Sequence, residues 1–213
     1  MNYTTDELIE HLKNSYELSK QLKSKLNEDI LNMEGMTGIN TRHLYNNLCS
    51  LDNANYLEIG VWKGSSIISA CYKNNINAVA IDDFSESQGT KEIFDENIKK
   101  YLDDQDFDFI MKDCFKVNED ELKIKEFDIY MYDGGHESYE QSLALTYYIN
   151  YMKNSFIFIV DDWNWDRVRE GTYDGIEKCN LKIKYKIENY HLNNNDNTEG
   201  GYWNGIGMFV LEK

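Results

Sequence analysis

The chain has 213 residues, 41% of them apolar, which is enough to bury one sizeable core and reads most simply as a single domain. Its formal net charge of -16 argues against nonspecific contact with nucleic acid or an anionic membrane, since both would have to meet a basic patch that the sequence does not contain. The longest apolar runs, such as FIFIV at 156–160, are far shorter than a bilayer span, and the acidic, polar start MNYTTDELIE is unlike a signal peptide, so a cytoplasmic chain is expected.

Leu8, Leu12 and Tyr16, then Leu18, Leu22, Leu26 and Ile30, recur at four-residue spacing and predict one long amphipathic helix over 5–33, ended near Gly35 and Gly38. A second short helix carries Leu44, Leu48 and Leu51. Residues 1–52 thus read as a helical extension, suited to a lid or a homodimer contact, ahead of a core over 53–213. Strands are predicted at 56–60, 78–82, 108–112, 128–133 and 156–161, each nearly continuously apolar, as strands buried on both faces are. Helical stretches fall between and after them, at 65–73, 91–102, 118–123, 137–152 and 166–178. LKIKYKI at 181–187 sets Leu181, Ile183, Tyr185 and Ile187 against three lysines, a strand with one wet face. An Asn-rich mobile surface loop over 191–201 then leads to a last strand at 206–212. The succession predicts an α/β, Rossmann-like fold: a mostly parallel seven-stranded sheet with helices on both faces and a C-terminal antiparallel hairpin. Cys49, Cys71, Cys114 and Cys179 are spaced as ordinary buried thiols. His11, His43 and His191 read as surface residues.

In an open parallel sheet the ligand lies beyond the carboxyl ends of the strands. Here those ends carry Glu58, Asp82 with Asp83, Asp113, Asp133, and Asp161 with Asp162. The turn after the first strand, Gly60-Val-Trp-Lys-Gly64-Ser65-Ser66, lacks the three glycines of a dinucleotide fingerprint and has an acid two residues before its first glycine. A carboxylate there would repel a pyrophosphate and welcome a cationic ligand with an amino group. Asp82, about twenty residues on, is placed to accept hydrogen bonds from ribose hydroxyls. An amino acid joined to a nucleoside, as in S-adenosylmethionine (SAM), meets both conditions.

The order E-I-G-x-x-x-G-x-S, an acid after the second strand, D-G-G-H-x-x-Y after the fourth and D-D-W after the fifth resembles the class I SAM-dependent methyltransferases. Within them it is most similar to the D-G-x-H-x-Y group and to macrocin-type sugar O-methyltransferases, over roughly residues 40 to 212. The resemblance implies that Glu58 and Gly60 meet the methionine part of the cofactor, that Asp82 holds the ribose with Asp83 and Phe84 near the adenine, that Asp113 and Cys114 line the adenine edge, and that Gly64, Ser65 and Asp133 also belong to the cofactor site. The turn departs from the commonest E-x-G-x-G-x-G form.

Asp133, Asp161 and Asp162 end neighbouring strands, and three converging carboxylates are most simply relieved by a divalent metal such as Mg2+. Metal-dependent O-methyltransferases that this chain resembles place acids at the same strand ends. His136, three residues past Asp133, is the candidate general base, with Asp133 beside it in the reaction. Trp163, Trp165 and Trp203 are candidates for an acceptor wall, and Arg167 and Arg169 for pairing with an anionic group. The expected activity is Mg2+-assisted O-methylation of a small hydroxylated acceptor such as a sugar, with no nucleic-acid or membrane partner. Metal-free N-methylation of an amine and a noncatalytic cofactor-binding scaffold stand as alternatives.

Overall fold

The computed structural model describes residues 2–85, 88–102, 107–190 and 201–213. Five parallel strands, β1 (Ala54–Ile59), β2 (Ile76–Asp82), β3 (Phe107–Met111), β4 (Phe127–Tyr132) and β5 (Met152–Asp161), are joined by β6 (Lys182–Asn189) and β7 (Ile206–Glu212) in one sheet. Its order is β3-β2-β1-β4-β5-β7-β6, with β7 antiparallel to both β5 and β6. The seven strands and the C-terminal antiparallel pair are those expected from sequence.

Strand alternation divides the core in two. Tyr56, Ala78, Ala80, Ile129, Met131 and Ile157 face one layer, while Leu57, Val79, Ile81, Tyr130, Tyr132 and Phe158 face the other. Helices α1 (Thr5–Lys20), α2 (Glu28–Leu31), α3 (Ile39–Leu48), α4 (Ser65–Cys71) and α5 (Thr90–Tyr101) bury their apolar residues in the first layer. Helices α6 (Ser138–Tyr148) and α7 (Asp166–Lys178) cover the second. Strand order reverses between β1 and β4, so the crevice opens where their outgoing turns part.

The N-terminal segment differs from the single helix predicted over 5–33. A Thr4/Glu7 capping box starts α1, but it stops at Lys20, Leu22 takes φ 54°, and Asn27 caps the short α2. A four-residue repeat drifts by about 40° per step around a 3.6-residue helix, so the later leucines leave the buried stripe. The residues that α1 buries are Leu8, Leu12, Ser15 and Ser19, whereas Leu22 is exposed. Thr5 Oγ1 lies 2.8 Å from Ser155 Oγ on β5, and Ser19 Oγ lies 2.6 Å from Tyr202 Oη, so the apolar face of α1 is occupied within the chain.

Other differences are local. The helix predicted over 118–123 is a single 3-10 turn, Glu119–Glu121. The helix predicted to 152 ends at Tyr148, and β5 starts at Met152, four residues earlier than expected: Ser155 pairs with Glu212 at the end of β7, Asn154 O accepts from Lys213 N at 2.9 Å, and Lys153 reaches the buried Asp128 at 2.8 Å. His43 is not a surface residue: it is 3% exposed, with Nδ1 2.7 Å from Ser24 Oγ. His11 is half-buried against the Leu48 carbonyl. His191 and the rest of the predicted loop up to 200 lie outside the described residues. Cys49 and Cys71 are buried and Cys114 and Cys179 half-buried, and burial raises all four thiols above their ordinary range. Among the described residues no helix is long and apolar enough to cross a membrane.

Candidate functional site

A cavity of about 630 Å³ opens at the carboxyl ends of β1, β2, β3, β4 and β5. Of the residues singled out in the sequence, Gly60, Ser65, Asp82, Asp83, Phe84, Asp113, Cys114, Asp133, His136, Asp161 and Asp162 line it. Glu58 and Gly64 do not, and neither do Trp163, Arg167 and Arg169, whereas Trp165 and Trp203 do.

Gly60 fixes the floor. Its φ is 84°, and a Cβ there would stand 1.9 Å from the Asp133 carbonyl oxygen, because the β1 and β4 turns nest backbone to backbone. Asp133 N completes the joint by donating to Ile59 O at 2.8 Å. Gly64 acts one step away: in the left-handed region it starts α4 and leaves Ser65 and Ser66 facing the cavity.

Glu58 turns away from the ligand side because alternation puts it on the same face as Tyr56, beneath α4. It is fully buried and accepts hydrogen bonds from Tyr56 Oη at 2.6 Å and Ser66 Oγ at 2.5 Å. Burial, only partly offset by those two hydroxyls, pushes its carboxyl up to about 8. The free protein therefore holds Glu58 largely protonated at neutral pH, and the electrostatic preference expected of it must come from the cavity's other acids. A raised carboxyl means that the folded chain keeps a proton the unfolded chain releases. Its stabilising effect is complete below about 4.5 and is lost as pH rises through about 8. Glu58→Gln, which mimics the neutral form, should therefore flatten the decline in stability between those values, a decline that one proton makes as steep as about 1.4 kcal/mol per pH unit. Urea unfolding across that range reads the slope; a slope equal to the wild type's would contradict the assignment.

Asp82 braces the turn above. Its Oδ2 accepts from Val61 N at 2.8 Å and Trp62 N at 2.9 Å, and its Oδ1 accepts from Phe84 N at 2.7 Å. Asp83 is exposed and accepts from Ser85 N at 2.9 Å. Phe84, at φ 53°, packs against Phe94 and Phe109 with ring centroids 5.5 and 5.7 Å away. Asp113 caps the 3-10 turn Cys114–Lys116, and its pairing with Lys116 at 2.9 Å holds its carboxyl below the usual range.

On the β4–β5 side the expected three-aspartate cluster is rearranged. Asp133, His136 and Asp162 bring ligand-capable atoms within 4.8 Å of one another, and Asp161 is not in that group. Asp161 instead accepts from Asp162 N at 2.9 Å, and burial first, then Asp133 and Asp162, raises its carboxyl well above the usual range. His136 Nε2 lies 2.7 Å from Asp162 Oδ2 and 3.7 Å from Asp133 Oδ1. Burial works against a charge on that ring, but the two carboxylates prevail and hold it up at about 10.

Two residues that sequence reasoning passed over shape the site. Asn204 donates from Nδ2 to Asp162 Oδ1 at 2.7 Å, and both residues take positive φ, 53° and 55°. Arg42, only 3% exposed, donates to the carbonyls of Ile30, Leu31 and Thr37 and so holds the stretch that brings Met36 and Thr37 to the cavity. A buried arginine five residues after a threonine carries no motif, and Asn204 follows an Asn-rich stretch that hides it.

No family model matches the chain, and no curated protein sequence does. Solved structures similar to it include a candidate RNA methyltransferase from Pyrococcus horikoshii, 11% identical with a TM-score of 0.58 over 95% of this chain and 97% of that one. A candidate O-methyltransferase from Klebsiella pneumoniae is 14% identical with a TM-score of 0.57 over 100% and 92% of the two chains. The O-methyltransferase from Bacillus cereus, solved in complex with S-adenosylhomocysteine (SAH), is 14% identical with a TM-score of 0.56 over 95% and 91%. The chain has the fold of the class I SAM-dependent methyltransferases.

Proposed function

We propose that the chain is a SAM-dependent methyltransferase acting on a hydroxyl of a small molecule, with help from a divalent cation. The observation that carries this reading is one cavity holding a carboxylate at the exit of β2 and, on its far side, the Asp133, His136 and Asp162 group.

The residues fit SAM. The nested turn at Gly60 lets backbone approach the ligand closely, Asp82 and Asp83 offer oxygens suited to ribose hydroxyls, and Phe84 and Cys114 supply flat and apolar edges for a base. SAM, when bound, supplies an electrophilic methyl group on a positive sulfur. The chain's task is then to align an acceptor oxygen and ease the loss of its proton.

They fit a cation as well. His136 Nε2 lies between two carboxylates, 2.7 Å from Asp162 Oδ2 and 3.7 Å from Asp133 Oδ1. An imidazole nitrogen beside two carboxylates suits Mg2+ less than Mn2+ or another first-row divalent ion. Such an ion, when bound, lowers the pKa of a nearby hydroxyl. Asn204 holds the Asp162 carboxylate in orientation from behind. His136 is an imidazolium at neutral pH in the free protein, and in that form it cannot act as a base. Neutralising Asp133 and Asp162 removes what holds the proton, so the ring becomes free either to ligate or to accept a proton.

Methyl-labelled SAM incubated with hydroxylated and amine acceptors tests the reading. Label on oxygen, lost after chelation and restored by Mn2+ or Mg2+, is expected. Transfer to nitrogen alone, or full transfer without divalent ions, would overturn the O-methylation and metal assignments respectively.

A further inference from the structure

The far side of the cavity has a definite charge and texture. Seven acidic side chains line the described cavity, six besides the buried Asp161 whose carboxyl is raised, against one lysine and His136. That lysine, Lys112, is ion-paired with Glu121 at 2.8 Å. Arg167 stacks over the Trp165 ring at 4.9 Å and pairs with Glu137 at 3.5 Å, and it is not among the lining residues. Even a singly positive cofactor and a divalent cation would leave the cavity negative.

The same side is flat and apolar at its edge. Two aromatic side chains stand exposed there in the free protein, Tyr139 at 68% and Trp165 at 36%, and both line the cavity. Trp165 meets His136 edge to ring at 4.9 Å, and Trp203 lines the same cavity. Exposed apolar surface gathered beside charged groups marks a face that a ligand covers.

We infer that the acceptor is a flat, hydroxylated molecule that is neutral or cationic, and that this cavity discriminates against acceptors bearing carboxylate or phosphate. The inference rests on the methyltransferase reading and adds the acceptor's chemical class to it. With a cation held by Asp133 and Asp162, Glu140 remains as a carboxylate on this side of the cavity, and an anionic group brought beside it meets like charge in a partly enclosed space, where repulsion is screened less than in water. The same field opposes an oligonucleotide acceptor.

The full chain, saturated with SAH and Mn2+, is titrated with catechol, dopamine and protocatechuate, which share one dihydroxybenzene unit and differ in charge. Quenching of tryptophan fluorescence reads binding. Catechol and dopamine should bind at least about tenfold more tightly than protocatechuate, the equivalent of roughly 1.4 kcal/mol. Tyr139→Arg, a change at an exposed position, should narrow that gap about threefold or more by supplying a cation. Protocatechuate binding as tightly as catechol, or none of the three binding to SAH-saturated protein, would overturn the inference while leaving the cofactor assignment standing. Failure of SAH itself to bind would overturn both.

Discussion

Gly60→Ala is expected to destabilise the fold by about 2 to 6 kcal/mol and to abolish SAH binding. Two costs add at this position. A non-glycine residue at φ 84° is strained by about 1 to 3 kcal/mol, and the new methyl would stand 1.9 Å from the Asp133 carbonyl oxygen. The obstacle is backbone from the neighbouring strand's turn, so relief requires β1 and β4 to part, which also opens the cavity floor. Gly89 supplies the control. Its φ is 82°, yet a Cβ there meets nothing within 4 Å, so Gly89→Ala should show the strain alone. Chemical denaturation of the two variants separates the terms; equal losses of stability would mean that the contact with Asp133 is not tight.

Asp133→Asn is expected to lower methyl transfer by about 100-fold or more while leaving the fold intact. The backbone of residue 133, through its bond to Ile59 O, holds the β4 turn, and the substitution does not touch that bond. What it removes is one of the two charges that keep His136 protonated. The sign follows. In the wild type the raised His136 value of about 10 adds stability that is complete below about 6.5 and fades as pH rises through about 10. In Asp133→Asn, burial is opposed by Asp162 alone, so the ring should titrate at lower pH. Nuclear magnetic resonance of the imidazole protons follows this titration independently of turnover. An unmoved titration together with undiminished turnover would remove Asp133 from the site.

How much of this was legible in the sequence depends on what the signal was made of. The strands read clearly because each is a nearly continuous apolar run, and β6 because its lysines alternate with Ile183, Tyr185 and Ile187. Their succession contains the sheet's layers, and the acids at the strand ends mark its working edge. Tertiary choices were less visible. Glu58 looked like a ligand-side acid because it precedes a glycine turn, yet period-two alternation already sets it on the face of Tyr56, and the hydroxyls that receive it come from Tyr56 itself and from Ser66 on the next helix. Asp161 and Asp162 are adjacent, so one backbone trace cannot aim both at one point, and it is Asp162, at φ 55°, that reaches His136. The break after Lys20 was hidden by leucines whose spacing continues past the helix that uses them.

The central claim is that the cavity beyond β1 and β2 takes a sulfur nucleoside rather than a phosphorylated coenzyme. Calorimetry tests it most directly, with SAH, NAD and ATP titrated into the wild type and into Asp82→Ala, which removes both the brace on Val61 and Trp62 and the oxygens offered to a ribose. Saturable one-site binding of SAH to the wild type, lost in Asp82→Ala, with no heat from NAD or ATP, is the predicted result. Binding of NAD or ATP in its place, or SAH binding unchanged by the substitution, would contradict the account.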